Sequence, residues 1–272
     1  MDRVVLTCDQ SDFEGTLELA RENGVGLEIQ TFAYPEALDD DLDSRLARYL
    51  DQLGGFHGEI TMHGAFMDMA SASPDPRVVA VAEERYLQNI RIAETLGAHL
   101  LVFHMNFLIN IRAEEYRLDW IERQAAFWHR VGRRAADSGL TVALENMWEG
   151  DPRLVADVLA AIDMPNVQAC LDVGHAHLFS PAPFKQWLTT LGDYVVYCHL
   201  NNNSGESDQH RAFDDGVIDY DQVLTELRAL PHPPIFSLEI SGVEPARRSL
   251  RYLDLPGPPG LNGKRRPDED RA

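Results

Sequence analysis

Histidine and carboxylate side chains close a series of short apolar runs along this chain. His63 sits in "TMHG", His104 in "VFHMN", Glu145 in "LENM", Asp172 and His175 in "LDVGH", His199 in "VVYCHL" and Glu239 in "SLEI". A further pair, Asp208 and His210, flanks Gln209 in a polar, glycine-containing segment. Imidazole and carboxylate together suit Zn, Mn, Fe or Co better than Ca. Taken singly, each residue is weak evidence. A His that closes a strand is more often a hydrogen-bonded core or rim residue, and an Asp-x-His can be an ordinary solvated loop. Taken together, Glu145, Asp172 and Glu239 converging on one low-dielectric place would repel one another, and a divalent cation removes that cost. The expectation is a metal centre on Glu145, Asp172, His199 and Glu239, with His63 and His104 nearby. Asp208 and His210 alternate along an extended segment and so share a side. With His175 they could hold a further ion, giving one to three in all.

Such convergence requires elements that bring the runs together. Eight β-like runs are legible: "VVLTC", "GLEIQ", "EITMHG", "HLLVFH", "TVALEN", "VQACLDVGH", "YVVYCHL" and "IFSLEI". Several are nearly continuous in apolar residues, as parallel strands covered on both faces are. Helical patterns alternate with them. "PDPRVVAVAEERYLQNIRIAETLGA" opens on Pro and stops at Gly97, and "AEEYRLDWIERQAAFWHRVGRRAADSG" stops at Gly139. "DPRLVADVLAAID" and "DYDQVLTELRAL" each open on Asp, a suitable N-cap. Eight alternations in 272 residues predict a single (β/α)8 TIM barrel over residues 1–255, with a doubly wound open sheet as the alternative. "CDQSDFEG" after the first run is not the glycine-rich phosphate fingerprint that an open nucleotide-binding sheet uses. In a barrel the strand ends all lie on one face, the C-terminal face on which such folds build active sites.

Composition narrows the partners. The chain carries 24 basic and 44 acidic residues, a net charge of −20, which opposes nucleic-acid backbones and anionic membranes. No apolar run is long enough to span a bilayer, and the N-terminus shows no signal-peptide core. Cys8, Cys170 and Cys198 lie in or beside strand-like runs without a CxxC and are expected as small core residues of a cytoplasmic protein. Residues 256–272, rich in Pro, Gly and charge, read as a disordered end. His57, His99, His129, His177 and His232 lack the strand-end position and are expected at the surface or in packing. Trp128 and Trp187 are expected in the core, while Trp148 could wall a pocket. A homo-oligomer is compatible with these features.

The segments "RYLQNIRIAETLGAHLLVFH", "LEN", "LDVGHA" and "HLNN…DQH…DGVIDY" resemble the xylose-isomerase-like TIM-barrel superfamily. That superfamily contains sugar-phosphate isomerases and epimerases and also endonuclease IV. The resemblance implies that Glu145, Asp172, His199 and Glu239 match the single-metal site of its epimerases. It also implies that His63, His104, His175, Asp208 and His210 complete the three-zinc pattern of endonuclease IV. One departure is local. Asp214, in "HRAFDDG", stands where the family usually has the first Gly of a Gly-acid-Gly turn.

Two chemistries suit such a site. In aldose–ketose isomerisation or epimerisation of a small carbohydrate or sugar phosphate, a carboxylate removes a proton next to a metal-polarised carbonyl. Glu145 and Glu239 would act as acid–base groups as well as ligands, and His175 and Arg211 would contact substrate. In metal-assisted hydrolysis of a small phosphoester, neighbouring ions hold the attacking and leaving oxygens. A metal-stabilised binding barrel without chemistry ranks behind both.

Overall fold

Every expected strand forms, and the sheet they make closes. The structure, a computed structural model, describes residues 1–257. The strands are β1 (Val4–Cys8), β2 (Gly26–Ile29), β3 (Ile60–His63), β4 (Leu100–His104), β5 (Thr141–Glu145), β6 (Val167–Asp172), β7 (Val195–Leu200) and β8 (Ile235–Leu238). They pair in sequence order, and β8 pairs in parallel with β1, so the sheet is a closed eight-stranded barrel. This β1–β8 pairing rules out the open doubly wound sheet.

The long helices stop where the local chemistry says they should. Pro76–Leu96 starts after Asp75, whose carboxylate accepts the Arg77 N–H, and ends at Gly97 with φ +72°. Asp151 and Asp219 cap Pro152–Ile162 and Tyr220–Arg228 in the same way. Each cap satisfies a helix-end N–H that has no partner within the helix. Glu114–Asp137 packs Trp120, Phe127 and Trp128 inward, and Trp187 is likewise buried. Among the described residues no helix is long and apolar enough to cross a membrane. Of the expected disordered end, residues 258–272 lie outside the described residues.

Strand alternation divides the interior into two cores. One face of each strand packs against the helices in the main hydrophobic cluster. The other face fills the barrel lumen with Val5, Leu100, Val102, Ala143, Cys170, Tyr197 and Ile235. All three cysteines are free and buried, as expected of core residues. One or two pleats above this apolar floor, on the same parity, come the strand-end His and acidic groups. They do not form one level ring. His104 pairs level with Glu145, and Asp172 with His199, but His63 pairs with Val102, Glu145 with Cys170, and His199 with Ser237. The ligand candidates therefore climb in steps of two residues. A two-residue step keeps every side chain facing inward, whereas a one-residue slip would turn it outward.

Candidate metal centre

The site starts in the lumen, with a residue that the strand-end reading passes over. Glu28 lies in the middle of β2 and is fully buried. Its carboxylate accepts hydrogen bonds from Tyr197 Oη at 2.9 Å, from Ser237 Oγ at 2.5 Å and from His199 Nε2 at 3.1 Å. Burial opposes its charge, but the His199 imidazolium outweighs that and holds the Glu28 carboxyl below its usual range. This bond fixes the ring of His199, so that Nδ1 points up towards Glu145 Oε2 at 3.2 Å, Glu239 Oε2 at 3.4 Å and Asp172 Oδ2 at 4.0 Å.

Three of the other four rings, those of His63, His175 and His210, are also held through one nitrogen. His63 Nδ1 donates to the carbonyl of Gly64 at 2.8 Å, leaving Nε2 at 3.3 Å from Glu145 Oε2. His175 Nδ1 donates to the carbonyl of Asn146 at 3.0 Å, leaving Nε2 at 3.2 Å from Asp208. His210 Nδ1 donates to the carbonyl of Glu239 at 3.0 Å, leaving Nε2 at 3.2 Å from the same Asp208 oxygen. Each imidazole thus has one nitrogen anchored and the other presented. Anchoring of this kind sets the tautomer and orientation of metal-binding histidines. His210 sits at φ +47°, a left-handed conformation uncommon for a residue with a side chain. Strain of this sort is held only where the surroundings fix it.

The carboxylates are aimed as closely. Asp172 is clamped between strands, because Asn146 bonds to its N–H and C=O at 2.9 and 3.0 Å while Asn201 Nδ2 reaches Oδ2 at 3.0 Å. Asn201 can sit there because the first turn of the next helix, Val173–Phe179, carries Gly174, where a Cβ would stand 2.1 Å from Asn201 Oδ1. Gln30 donates to Glu239 Oε1 at 2.6 Å. Asp214 causes no difficulty in its loop. Its backbone is not left-handed, its carboxylate pairs with Arg248, and the close approach falls instead at Gly216, packed on Asn202.

Three groups of donor atoms result, each with its atoms within 4.8 Å of one another: His63–Glu145–His199, Glu145–Asp172–His199–Glu239 and His175–Asp208–His210. His104 stands beside the first, with Nε2 at 3.2 Å from Glu145 Oε2. All nine side chains singled out in the sequence therefore meet at the C-terminal end of the barrel. Arg211 does not join them; its guanidinium pairs with Asp215 at 3.4 Å. Of the other histidines, His99 bonds to Glu59 away from the cluster.

The electrostatics show what the cluster lacks. Burial works against the charge of Glu145, yet His199 and His104 hold its carboxyl well below the carboxylate range. Burial pushes the Asp172 carboxyl up to about 7, with Glu145 and Glu239 adding to the rise. Burial disfavours a charged His210, but Glu239 and Asp208 outweigh it and draw the ring up to about 10. Protons are thus pulled onto the rings to compensate buried carboxylates. Even so, His199 Nδ1 and Glu239 Oε2 are buried without a hydrogen-bond partner among the described residues. Two orphaned donor atoms facing each other inside a His–carboxylate cage fit a divalent cation of the transition series.

Glu28→Gln should show how far the anchoring matters. An amide can still meet Tyr197 and Ser237, but it loses the anionic acceptor for His199. Metal affinity should fall about 10- to 100-fold with the barrel intact, read by competition with a chromophoric chelator. Unchanged affinity would make Glu28 a packing residue.

Fold and site together define a class, a TIM barrel with a His–carboxylate cage at the ends of its strands. A family model described as a xylose isomerase-like TIM barrel matches residues 17–255, and the chain belongs to that family. It is 26% identical to the uncharacterized protein MJ1311 of Methanocaldococcus jannaschii over 220 residues, covering 78% of this chain and 75% of that one. Among solved structures it resembles the TTHB071 protein of Thermus thermophilus soaked with ZnCl2, with a TM-score of 0.77, 28% identity and coverage of 92% and 96% of the two chains. A D-tagatose 3-epimerase-like protein superposes with a TM-score of 0.76 at 21% identity, covering 92% and 94%.

Proposed function

We propose that the protein is a divalent-metal-dependent isomerase or epimerase of a small carbohydrate, working by proton abstraction next to a carbonyl. The observation that carries this reading is the Glu145–Asp172–His199–Glu239 group, with its two unpartnered donor atoms. A bound cation supplies Lewis-acid polarisation of a carbonyl and its neighbouring hydroxyl.

The chain's own groups supply the rest. Glu145 and Glu239 reach the cluster from β5 and from the end of β8, so one carboxylate can take the proton from the carbon beside the carbonyl and the other can return it. Gln30 keeps Glu239 directed inward, and the surrounding imidazoles keep Glu145 ionised. His175 and Asp208 hold hydrogen-bonding atoms for substrate hydroxyls. Arg211, expected at the substrate, belongs to this reading only through the loop it shares with Asp208 and His210. The epimerase-like neighbour and the zinc-soaked neighbour support the reading at the level of fold and ligand class.

The cavity at Gln30, His210 and Glu239 and the cavity at His104 both touch the cluster, and among the described residues neither is lined by Lys or Arg. That favours an uncharged carbohydrate over a sugar phosphate. Three adjoining donor groups favour a second reading, multinuclear hydrolysis of a small phosphoester.

Incubation of the metal-replete protein with ketoses and aldoses in deuterated water, beside phosphomonoesters and diesters, separates the two. Deuterium should appear on the carbon next to the carbonyl. Phosphate release without exchange would promote the hydrolase.

A further inference from the structure

The cavity at His104 is unlike the rest of this face. It has a volume of about 490 Å³ and lies between the loops that follow β3, β4 and β5. Small-molecule sites are commonly of this size, roughly 300–1,000 Å³. Its walls carry the aromatic rings of Phe66, Tyr116, Trp120 and Trp148. Met67, Met105 and Met147 fill between them, with Leu108 and Ile111 at the rim. Asp68 is its only side chain with a fixed charge.

Four of these apolar side chains stay open to solvent: Met67 at 55%, Leu108 at 57%, Ile111 at 40% and Trp148 at 42%. Exposed apolar surface gathered in one concavity marks a binding site more often than chance exposure does. The walls are also built. Asn106, itself left-handed at φ +58°, ties its loop to the carbonyls of Phe66 and Met69. The buried Glu149 carboxylate accepts the N–H of Met147 and of Phe107, joining the β5 and β4 loops. Gln124 holds the carbonyl of Met105 at 2.8 Å.

His104 belongs to both places. Its ring lines the cavity, and its Nε2 lies 3.2 Å from Glu145. A molecule with its polar end at Glu145 would lay its remainder in this cavity. On the opposite side, the small polar hollow at Gln30 and Glu239 measures about 110 Å³.

We propose that the substrate carries an uncharged apolar group, aryl or alkyl, seated in the cavity bounded by Trp148, Trp120 and Leu108, so that the protein acts on an apolar-substituted carbohydrate rather than on a free sugar. The word carbohydrate rests on the proposed function; the apolar group rests on the cavity alone. Methionine and aromatic walls bind such a group by area and polarisability, with little demand on its outline.

The test uses the full-length, metal-replete protein and two probes that share a diol, 1-phenylethane-1,2-diol and propane-1,2-diol, followed by ligand-observed NMR. The phenyl diol should bind about tenfold more tightly or better, as burial of an aromatic ring implies. Ala70→Trp fills the cavity from an exposed position, and Leu108→Asp places a charge at its rim. Both should bring the phenyl diol down to the affinity of the methyl one while metal content stays unchanged. Equal affinity of the two probes in the unmodified protein overturns the proposal. So does a preference that survives Ala70→Trp, and so does a dimer that Leu108→Asp splits in sedimentation while the phenyl diol shows no preference, since a second copy would then own this face. A phenyl preference without deuterium exchange in any carbohydrate sinks the isomerase reading and leaves the cavity assignment standing. Exchange into plain ketoses without a phenyl preference does the reverse.

Discussion

Glu145→Gln is expected to leave a closed barrel that neither retains metal nor turns over substrate. Glu145 is the one group shared by two donor clusters that also faces His63, His104, His175 and His199, at 3.2–3.3 Å. The amide fills the same space but carries no charge, offers one acceptor oxygen and cannot act as a base. Loss of a positioned acid–base group alone costs about 10²–10⁴ in rate, and loss of the cation adds to it. The metal-free variant should also be less stable than the metal-free parent, because removing one partner of a buried charge cluster costs about 3–5 kcal/mol. Glu239→Gln removes the second carboxylate at a place where one oxygen is already orphaned, so it should lose activity and affinity with little cost in stability. Metal analysis, thermal melting and the exchange assay read the three effects. Full metal content in both variants would count heavily against this centre.

The stabilisation conferred by zinc should grow with pH, and the sign follows from the rings. In the metal-free protein burial disfavours charged His175, His199 and His210, but neighbouring carboxylates outweigh it and raise all three. A raised folded-state pKa stabilises below the unfolded value, near 6.5, and that contribution is lost as pH climbs through the folded one, about 10 for His210. Asp172, raised by burial to about 7, loses its contribution in the same direction, from about 3.8 upward. Glu145 and Asp208 are lowered, so theirs is lost only in acid. The chelator-stripped barrel should therefore soften steadily from about pH 6.5 towards about 10. A cation competes with those protons for the same nitrogens, so its binding strengthens over that range. At a free concentration about a hundred times Kd it stabilises by about 2.7 kcal/mol. Melting curves with and without zinc at a series of pH values should diverge as pH rises; parallel curves would mean that the metal does not displace these protons.

The barrel is legible in the sequence because its signals are local. Apolar runs of strand length, Asp75, Asp151 and Asp219 as caps, and Gly97 and Gly139 as stops each act within a few residues of sequence. The nine candidate ligands are legible for the same reason, each closing a run or lying in the segment just beyond one. Glu28 escapes a search of strand ends because it sits inside a strand, yet "GLEIQ" holds the clue. Gly26, Glu28 and Gln30 share one parity, and both of the polar pair turn into the lumen. The two-residue steps between strands are not readable, because register depends on how the closed sheet tilts and not on any single strand. The apolar cavity escapes for a related reason. Trp148 suggests a wall, but its companions come from two other loops and from the helix Glu114–Asp137, far apart in sequence, and each looks like an ordinary core or surface residue by itself.

The anchoring of the rings bears on how such a barrel can drift over generations. Three of the four anchored histidines hang from main-chain carbonyls, those of Gly64, Asn146 and Glu239. No point substitution deletes a carbonyl, so the direction in which those nitrogens point is inherited with the backbone itself. The walls around His104 have no such protection and can be exchanged residue by residue. A lineage built this way can keep its ion cage while it changes what the cage works on. Only His199 depends on another side chain, Glu28, which makes that pair the place where a single mutation could loosen the whole arrangement.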